Sequence, residues 1–184
     1  MNKTIHPLVA YFKSRQIWWA VGALIIIGAL VVFMFWRAGN SQDWIGSTIK
    51  QAEQFYLENR LADAQAKYQL IVDRYPNEVK ALNALGNTLR EQGNLRGAEE
   101  KYLKVIDIDP GYEPVYRNLL AVYQMWDKAD EQTARIASFA PIMERGLSYR
   151  PQSVQIIATA VDYYRQVGND AKAAELKRQM DQIK

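Results

Sequence analysis

The side chains that most often perform catalysis or bind transition metals are scarce in this sequence. Its 184 residues contain no cysteine and a single histidine, His6, close to the N-terminus. Thiol chemistry and thiolate metal sites are therefore excluded. A Ser-His pair or a histidine metal centre is also excluded from the body of the chain, because no imidazole is available there.

The remaining candidates for chemistry are acidic pairs and two glycines. Glu99-Glu100 and Asp107/Asp109 are explained better by solvation or helix capping than by acid-base catalysis. Gly93 and Gly97 follow no strand, so they do not form a phosphate-binding loop and are expected in a turn between helices. The sequence thus predicts no enzyme activity, no cofactor, no metal and no small-molecule substrate.

The charge of the chain is distributed unevenly. There are 23 Lys and Arg residues against 20 Asp and Glu, and 49% of the residues are hydrophobic. Before residue 37 there are three basic residues, Lys3, Lys13 and Arg15, and no acidic one. The rest of the chain is balanced and lacks the basic surplus that would displace counterions from phosphates, so we predict no nucleic-acid partner.

Residues 17–36 form an uncharged run long enough to cross a membrane as a helix. Its sequence is IWWAVGALIIIGALVVFMFW, and a helix of that length spans about 30 Å, the thickness of the bilayer hydrocarbon. Aromatic residues suited to the two membrane interfaces lie near its ends: Trp18, Trp19, Phe33, Phe35 and Trp36. A buried core helix is the alternative, but it rarely has aromatic and basic flanks. We expect a transmembrane helix that contacts the lipid bilayer through residues 17–36.

A cleaved signal peptide would share this basic and then apolar order. Its apolar stretch is usually about 7–15 residues and ends in a small-residue cleavage site, whereas this run is longer and bulky Trp36 lies two positions before Ala38. The sequence therefore favours an apolar segment that is not cleaved and stays in the membrane as an anchor. Basic residues in 1–16 place the N-terminus in the cytoplasm. The polar segment 37–43 is predicted to be a linker, and the remainder would be extracytoplasmic, or periplasmic in a bacterium.

The chain after residue 43 repeats itself. Pro76 and Pro110 lie 34 residues apart, and each follows an acidic and aliphatic run, IVDRYP and VIDIDP. Alignment on these prolines brings small and large apolar residues into register: Ala52, Phe55, Ala64, Tyr68 and Ile71; Leu82, Leu85, Gly86, Leu89, Ala98, Tyr102 and Val105; Ile157, Ala160, Val161, Tyr164, Ala173 and Met180. The small residues let helix backbones approach closely. Between the helices we expect turns at Asn59, Gly93-Asn94 and Gly168-Asn169.

This pattern resembles the tetratricopeptide repeat (TPR), a helix-turn-helix unit of about 34 residues. A plain helical bundle would also show apolar periodicity, but not matched proline, glycine and alanine positions. The resemblance implies an all-α fold in which the transmembrane helix precedes a right-handed α-solenoid of about four hairpins, in a domain over 44–184. Its units are about 45–78, 79–112, 113–153 and 154–184. The third unit has extra residues around 126–135, and we expect a lengthened first helix and a kink or new start at Pro141.

The resemblance also implies that extended peptides or partner helices bind a concave groove lined by the first helix of each unit. The family's groove positions fall on these residues: Glu53, Tyr56, Lys80, Asn83, Asn87, Arg90, Arg117, Gln124, Asp162 and Arg165. Some TPR proteins hold a C-terminal carboxylate of a chaperone with Lys, Asn and Arg residues. Asn87 and Arg117 resemble two of that set, but Glu53 would repel a carboxylate.

A membrane-tethered adaptor for protein partners is the function that these features favour. The anchor would confine the groove to the bilayer surface and raise its effective concentration for a membrane complex. Two alternatives stay open: a permanent structural or assembly subunit of a membrane complex, and an auxiliary of an export or chaperone pathway.

Overall fold

The computed structural model of the protein describes residues 7–183, without the side chains of 7–18, 20 and 35–40. All regular elements in the described range are α-helices. They are α1 Pro7–Leu57, α2 Leu61–Arg74, α3 Val79–Glu91, α4 Leu95–Ile108, α5 Pro114–Gln124, α6 Ala129–Tyr149, α7 Val154–Gln166 and α8 Asp170–Gln182. The predicted all-α helical repeat is therefore confirmed.

The chain divides into two compact units, Met1–Ser47 and Thr48–Lys184, and the boundary falls inside α1. In the first unit, apolar side chains at consecutive helix positions are exposed to solvent: Leu24, Ile25, Ile26 and Ile27 are 68%, 66%, 62% and 56% exposed. Four consecutive positions cover the whole circumference of a helix of 3.6 residues per turn, so this part of α1 is apolar on every side.

The predicted transmembrane helix is not supported by the structure. Over the described residues, no helix combines the length and the apolar character required to cross a bilayer. Within the predicted span 17–36, the side chains of 17, 18, 20, 35 and 36 lie outside the description. Of the predicted cytoplasmic segment 1–16, the backbone is described from Pro7 onward.

The segment 37–43, predicted as a linker, lies within α1. It contains no proline, and a glycine inside a helix costs only about 1 kcal/mol relative to alanine. The turn-forming residues of this segment are therefore not enough to interrupt α1, which continues as a helix on both sides of it.

The second unit is a series of helical hairpins whose turns are set by a few residues. Asn59, Gly93 and Gly168 have φ values of 58°, 78° and 74°, in the left-handed region that ends a helix. This confirms the turn positions predicted from the sequence. After two of these turns an asparagine caps the next helix: the Asn94 Oδ1 atom accepts from Gly97 N at 3.0 Å, and Asn169 Oδ1 accepts from Lys172 N at 3.1 Å.

Small residues bring the paired helices together. Ala52, Ala64 and Ala98 are fully buried, and a Cβ atom on Gly86 of α3 would lie only 2.5 Å from Cε1 of Tyr102 in α4. Since real Cβ contacts are longer than this, α3 and α4 can pack at this distance only with glycine at position 86. The Tyr102 ring occupies the space that a side chain would fill.

The third hairpin places its extra residues differently from the prediction. Its first helix, α5, ends at Gln124, whereas its second helix, α6, has 21 residues and contains Pro141 without a break. The expected lengthened first helix is therefore wrong. Trp126 in the turn donates its Nε1 hydrogen to Glu131 Oε2 at 2.7 Å, and the Arg135 guanidinium lies 3.8 Å from the Trp126 ring centroid. Arg135 also pairs with Glu99 of α4, so side chains hold the start of α6 against the preceding unit.

Aromatic packing connects the last two hairpins. The ring centroids of Tyr123 and Phe139 are 5.9 Å apart, those of Phe139 and Tyr163 are 5.3 Å apart, and those of Tyr163 and Tyr164 are 5.0 Å apart, all in edge-on geometry. Edge-on pairs of this kind add about 0.5–1.5 kcal/mol each beyond the burial of their area. The series links α5, α6 and α7, and helps to fix the positions of the first helices.

Candidate functional site

A pocket of about 320 Å³ lies within the second unit. It is lined by the final turns of α1, by Tyr68 of α2, by the first half of α3, and by Tyr112 just before α5: Ile49, Glu53, Tyr56, Tyr68, Lys80, Asn83, Ala84, Asn87 and Tyr112. Its volume is at the small end of the range for ligand sites. It therefore suits a short stretch of polypeptide better than a large cofactor.

Half of the predicted groove residues meet in this pocket. They are Glu53, Tyr56, Lys80, Asn83 and Asn87. Arg90, one turn beyond Asn87 on α3, is half-buried and pairs with Glu91 at 2.9 Å. The structure thus brings together five of the six predicted residues of the first two units.

The predicted residues of the third and fourth units do not line this pocket. Arg117 is exposed on α5, and Asp162 and Arg165 are exposed on α7. Gln124 at the end of α5 donates its Nε2 hydrogen to Gln166 Oε1 of α7 at 2.7 Å. These side chains belong to the later hairpins of the solenoid.

Two asparagines one turn apart on α3 have their amide groups oriented by neighbours. The hydroxyl of Tyr102 donates to Asn87 Oδ1 at 2.7 Å, and Asn118 Nδ2 donates to Asn83 Oδ1 at 3.0 Å. Both carbonyl oxygens are thus engaged, which directs the Nδ2 donors of Asn83 and Asn87 to other acceptors. A pair of donors at this spacing can bind the carbonyl groups of an extended main chain.

The tyrosines of the pocket are neutral hydrogen-bonding groups at physiological pH. Burial, reinforced by the negative charge of Glu53 and by Tyr56, raises the pKa of Tyr68 to about 12. Burial also raises the pKa of Tyr56, with Glu91 adding to the rise and Arg90 opposing it. Their rings and hydroxyls therefore present an apolar face with a polar edge.

The pocket also contains charges of both signs. Glu53 is exposed on α1 and Lys80 is exposed on α3. Among the residues that the structure describes, neither forms an ion pair, with the other or with a third residue. The same range contains no group of three metal-ligating side chains that could hold a metal ion.

Sequence reasoning missed three residues that shape this site. The repeat pattern predicts Tyr68 as a packing residue and distinguishes neither Tyr112 nor Asn118. Tyr68 and Tyr112 line the pocket, and Asn118 orients Asn83. Asn118 lies 35 residues after Asn83, so the repeat length itself could have indicated that the two residues occupy neighbouring positions in adjacent units.

The residues proposed for the membrane interface are only partly described. Trp19 is 72% exposed and Phe33 is 52% exposed. The side chains of Trp18, Phe35 and Trp36 lie outside the described part of the chain.

Comparison with known proteins agrees with the hairpin geometry. The family model of the tetratricopeptide repeat matches residues 79–112, which contain α3 and α4. The tetratricopeptide repeat family is supported for this chain. A sequence search of curated proteins found no significant match.

Solved TPR structures share the fold at low sequence identity. The crystal structure of TTC0263, a thermophilic TPR protein in Thermus thermophilus, gives a TM-score of 0.59 at 16% identity, over 76% of this chain and 74% of that chain. A crystal structure of MamA gives a TM-score of 0.54 at 22% identity, over 72% of this chain and 74% of that chain. At these identities the similarity shows the fold alone, a TPR-like helical repeat.

Proposed function

We propose that this protein is a membrane-tethered adaptor whose groove binds an extended segment of a partner protein. The observation that carries the proposal is the pocket between α1 and α3, in which five side chains at the family's groove positions converge. We propose no catalytic role for the protein. The partner is proposed to be a protein of a membrane-associated complex.

The pocket chemistry supports recognition of a main chain. The oriented amides of Asn83 and Asn87 can donate to alternate carbonyl groups, which point to the same side of an extended chain. The neutral tyrosines offer flat surfaces for side chains. Both asparagines are on one rigid helix, so little conformational entropy is lost when they bind.

Tethering is supported by the sequence of the first unit. Residues 17–36 carry no charge, and all residues from 21 to 34 are exposed apart from Gly22, which is half-buried. An apolar surface on every side of a helix is typical of a membrane span or of a helix covered by other protein. The basic residues at 1–16 favour a cytoplasmic N-terminus and a groove on the extracytoplasmic side.

Site-specific photocrosslinking in native membranes tests the groove. A photoreactive residue at Tyr56, which lines the pocket, should give a discrete crosslinked species. The matched control is Ala174, which is exposed on α8 and lines no part of the pocket. Absence of an adduct from position 56, or equal adducts from both positions, would contradict groove binding.

Fractionation tests the tether separately. The full chain should remain with the membranes after alkaline extraction, and sealed vesicles with an extracytoplasmic lumen should protect the part after residue 47 from protease. A variant with Ile25→Asp and Ile27→Asp should be released, because charged residues in hydrocarbon cost about 2.5–3.5 kcal/mol each. Extraction of the unaltered chain would refute tethering and leave the groove proposal intact.

A further inference from the structure

The charges of the pocket indicate what kind of segment it binds. Glu53 and Lys80 line one cavity from two different helices, and neither has an ion-pair partner among the described residues. Some other acidic and basic side chains of the solenoid do pair between helices, such as Arg145 of α6 with Asp107 of α4 at 2.9 Å. The two pocket charges are therefore available to a bound molecule.

The surroundings of Glu53 favour a cation. Its carboxylate acts electrostatically on Tyr68, and both line the pocket together with Tyr56. A Lys or Arg side chain entering here would meet an opposite charge and the faces of aromatic rings, which attract cations. A carboxylate at the same place would be repelled by Glu53.

The surroundings of Lys80 favour an anion. Lys80 lies one turn before Asn83 on α3, and the Asn83 amide is oriented as a donor by Asn118. An ammonium group and an amide donor together suit an acidic side chain. Glu53 on α1 and Lys80 on α3 thus offer a negative and a positive charge to the same ligand.

We propose that the pocket selects a partner segment in which a basic and an acidic residue are adjacent. This rests on the proposed function, since it names the kind of segment that the groove binds. In an extended chain, successive side chains point to opposite sides. Neighbouring residues of one segment can therefore address Glu53 on α1 and Lys80 on α3 while the main chain lies against Asn83 and Asn87.

Binding of short fluorescent peptides to the full chain in detergent micelles tests this selectivity. The probes are acetylated, amidated hexapeptides of Gly and Ser with a central Lys-Glu, Glu-Lys, Gln-Gln, Lys-Lys or Glu-Glu pair, measured by fluorescence anisotropy. We expect at least one mixed-charge peptide to bind on the order of tenfold more tightly than the Gln-Gln peptide, from two partly exposed ion pairs. Raising the salt to 1 M should largely remove the difference, because the Debye length falls to about 3 Å.

Charge reversal identifies the side chains responsible. Glu53→Lys should turn the preference toward the Glu-Glu peptide, and Lys80→Glu should turn it toward the Lys-Lys peptide. Glu100→Lys is the matched control, because Glu100 is exposed and does not line the pocket. It should leave the order of affinities unchanged.

The outcomes separate this inference from the proposed function. If all five peptides bind equally well and Glu53→Lys changes nothing, charge selection is overturned while peptide binding stands. If a like-charged peptide is preferred by the unaltered chain, the assignment of Glu53 and Lys80 is overturned. If no peptide binds, both the selectivity and the peptide-binding function are refuted.

Discussion

Substitution of Gly86 tests the close approach of α3 and α4 on which the pocket depends. Gly86 lies beside the ring of Tyr102, which is fully buried. The hydroxyl of Tyr102 holds Asn87 Oδ1 at 2.7 Å. An alanine at position 86 would push the ring away and so disturb both the packing of the helix pair and the orientation of a pocket amide.

The size of the effect follows from the distances. The new methyl group would lie 2.5 Å from Tyr102 Cε1 and 2.9 Å from Cδ1, whereas carbon atoms pack best at about 3.5–4.0 Å. The buried ring must therefore shift by about 1 Å to restore ordinary contacts. Overpacking of this kind costs about 1–3 kcal/mol, and strain on the Tyr102 hydrogen bond adds to it. The better helix propensity of alanine returns about 1 kcal/mol. This roughly offsets the strained hydrogen bond, which contributes about 1 kcal/mol, so we expect Gly86→Ala to destabilise the fold by about 1–3 kcal/mol.

Thermal unfolding of the full chain, followed by far-ultraviolet circular dichroism in detergent, measures this change. The midpoint should fall by roughly 3–10 °C. Gly46→Ala is the matched control, because Gly46 is also inside a helix but an added Cβ atom would have no neighbour within 4 Å. Its midpoint should be unchanged or higher.

The same substitution in a variant without the Tyr102 ring tests whether that ring causes the loss of stability. In a Tyr102→Leu variant, which lacks the atoms that meet the new methyl group, Gly86→Ala should have little further effect on the midpoint. The reasoning is refuted if Gly86→Ala raises the midpoint as alanine does in an open helix, or if its effect is the same with and without the Tyr102 ring.

Three further predictions concern other parts of the fold. Arg135→Gln should lower the free energy of unfolding by about 1–3 kcal/mol in denaturant titrations, because it leaves the carboxylate of Glu99, only 16% exposed, without its ionic partner. Arg145→Gln, at an exposed pair, should change it by less than about 1 kcal/mol, and equal effects of the two substitutions would refute the distinction between the pairs. Because the pKa of Tyr68 is raised from 10.0 to about 12, its contribution to stability is complete below pH 10 and lost as the pH rises toward 12. Tyrosinate absorbance at about 295 nm should therefore increase together with loss of helix in that interval, and full ionisation near pH 10 with intact helices would contradict this. Ser153→Ala should lower the free energy of unfolding by about 1 kcal/mol, because Ser153 Oγ accepts from Ile156 N at 3.2 Å and caps the start of α7. An unchanged unfolding midpoint would show that this cap contributes nothing to stability.

Much of the architecture could be predicted from the sequence because it depends on short-range chemistry. Asn59, Gly93 and Gly168 end helices through backbone conformations that these residues adopt easily, and the structure has positive φ at all three. Pro76 and Pro110 lie in the turns that follow α2 and α4. Apolar periodicity then determines which face of each helix is buried.

Other features depended on contacts between residues far apart in the chain. The extra residues of the third unit went into the turn and α6, where Arg135 contacts Glu99, 36 residues earlier. The orientation of Asn83 depends on Asn118, and Tyr112 reaches a pocket formed mainly by α1 and α3.

The helical hairpins, their turns and the small residues at their contacts are encoded locally, because each of these follows from neighbours within one or two helical turns. Which polar groups converge depends instead on the packing of helices that are distant in the chain. The place of a side chain such as Tyr112 in the pocket depends on how successive hairpins pack, and that packing depends on close contacts, such as Gly86 against Tyr102, whose distances no local pattern of residues encodes.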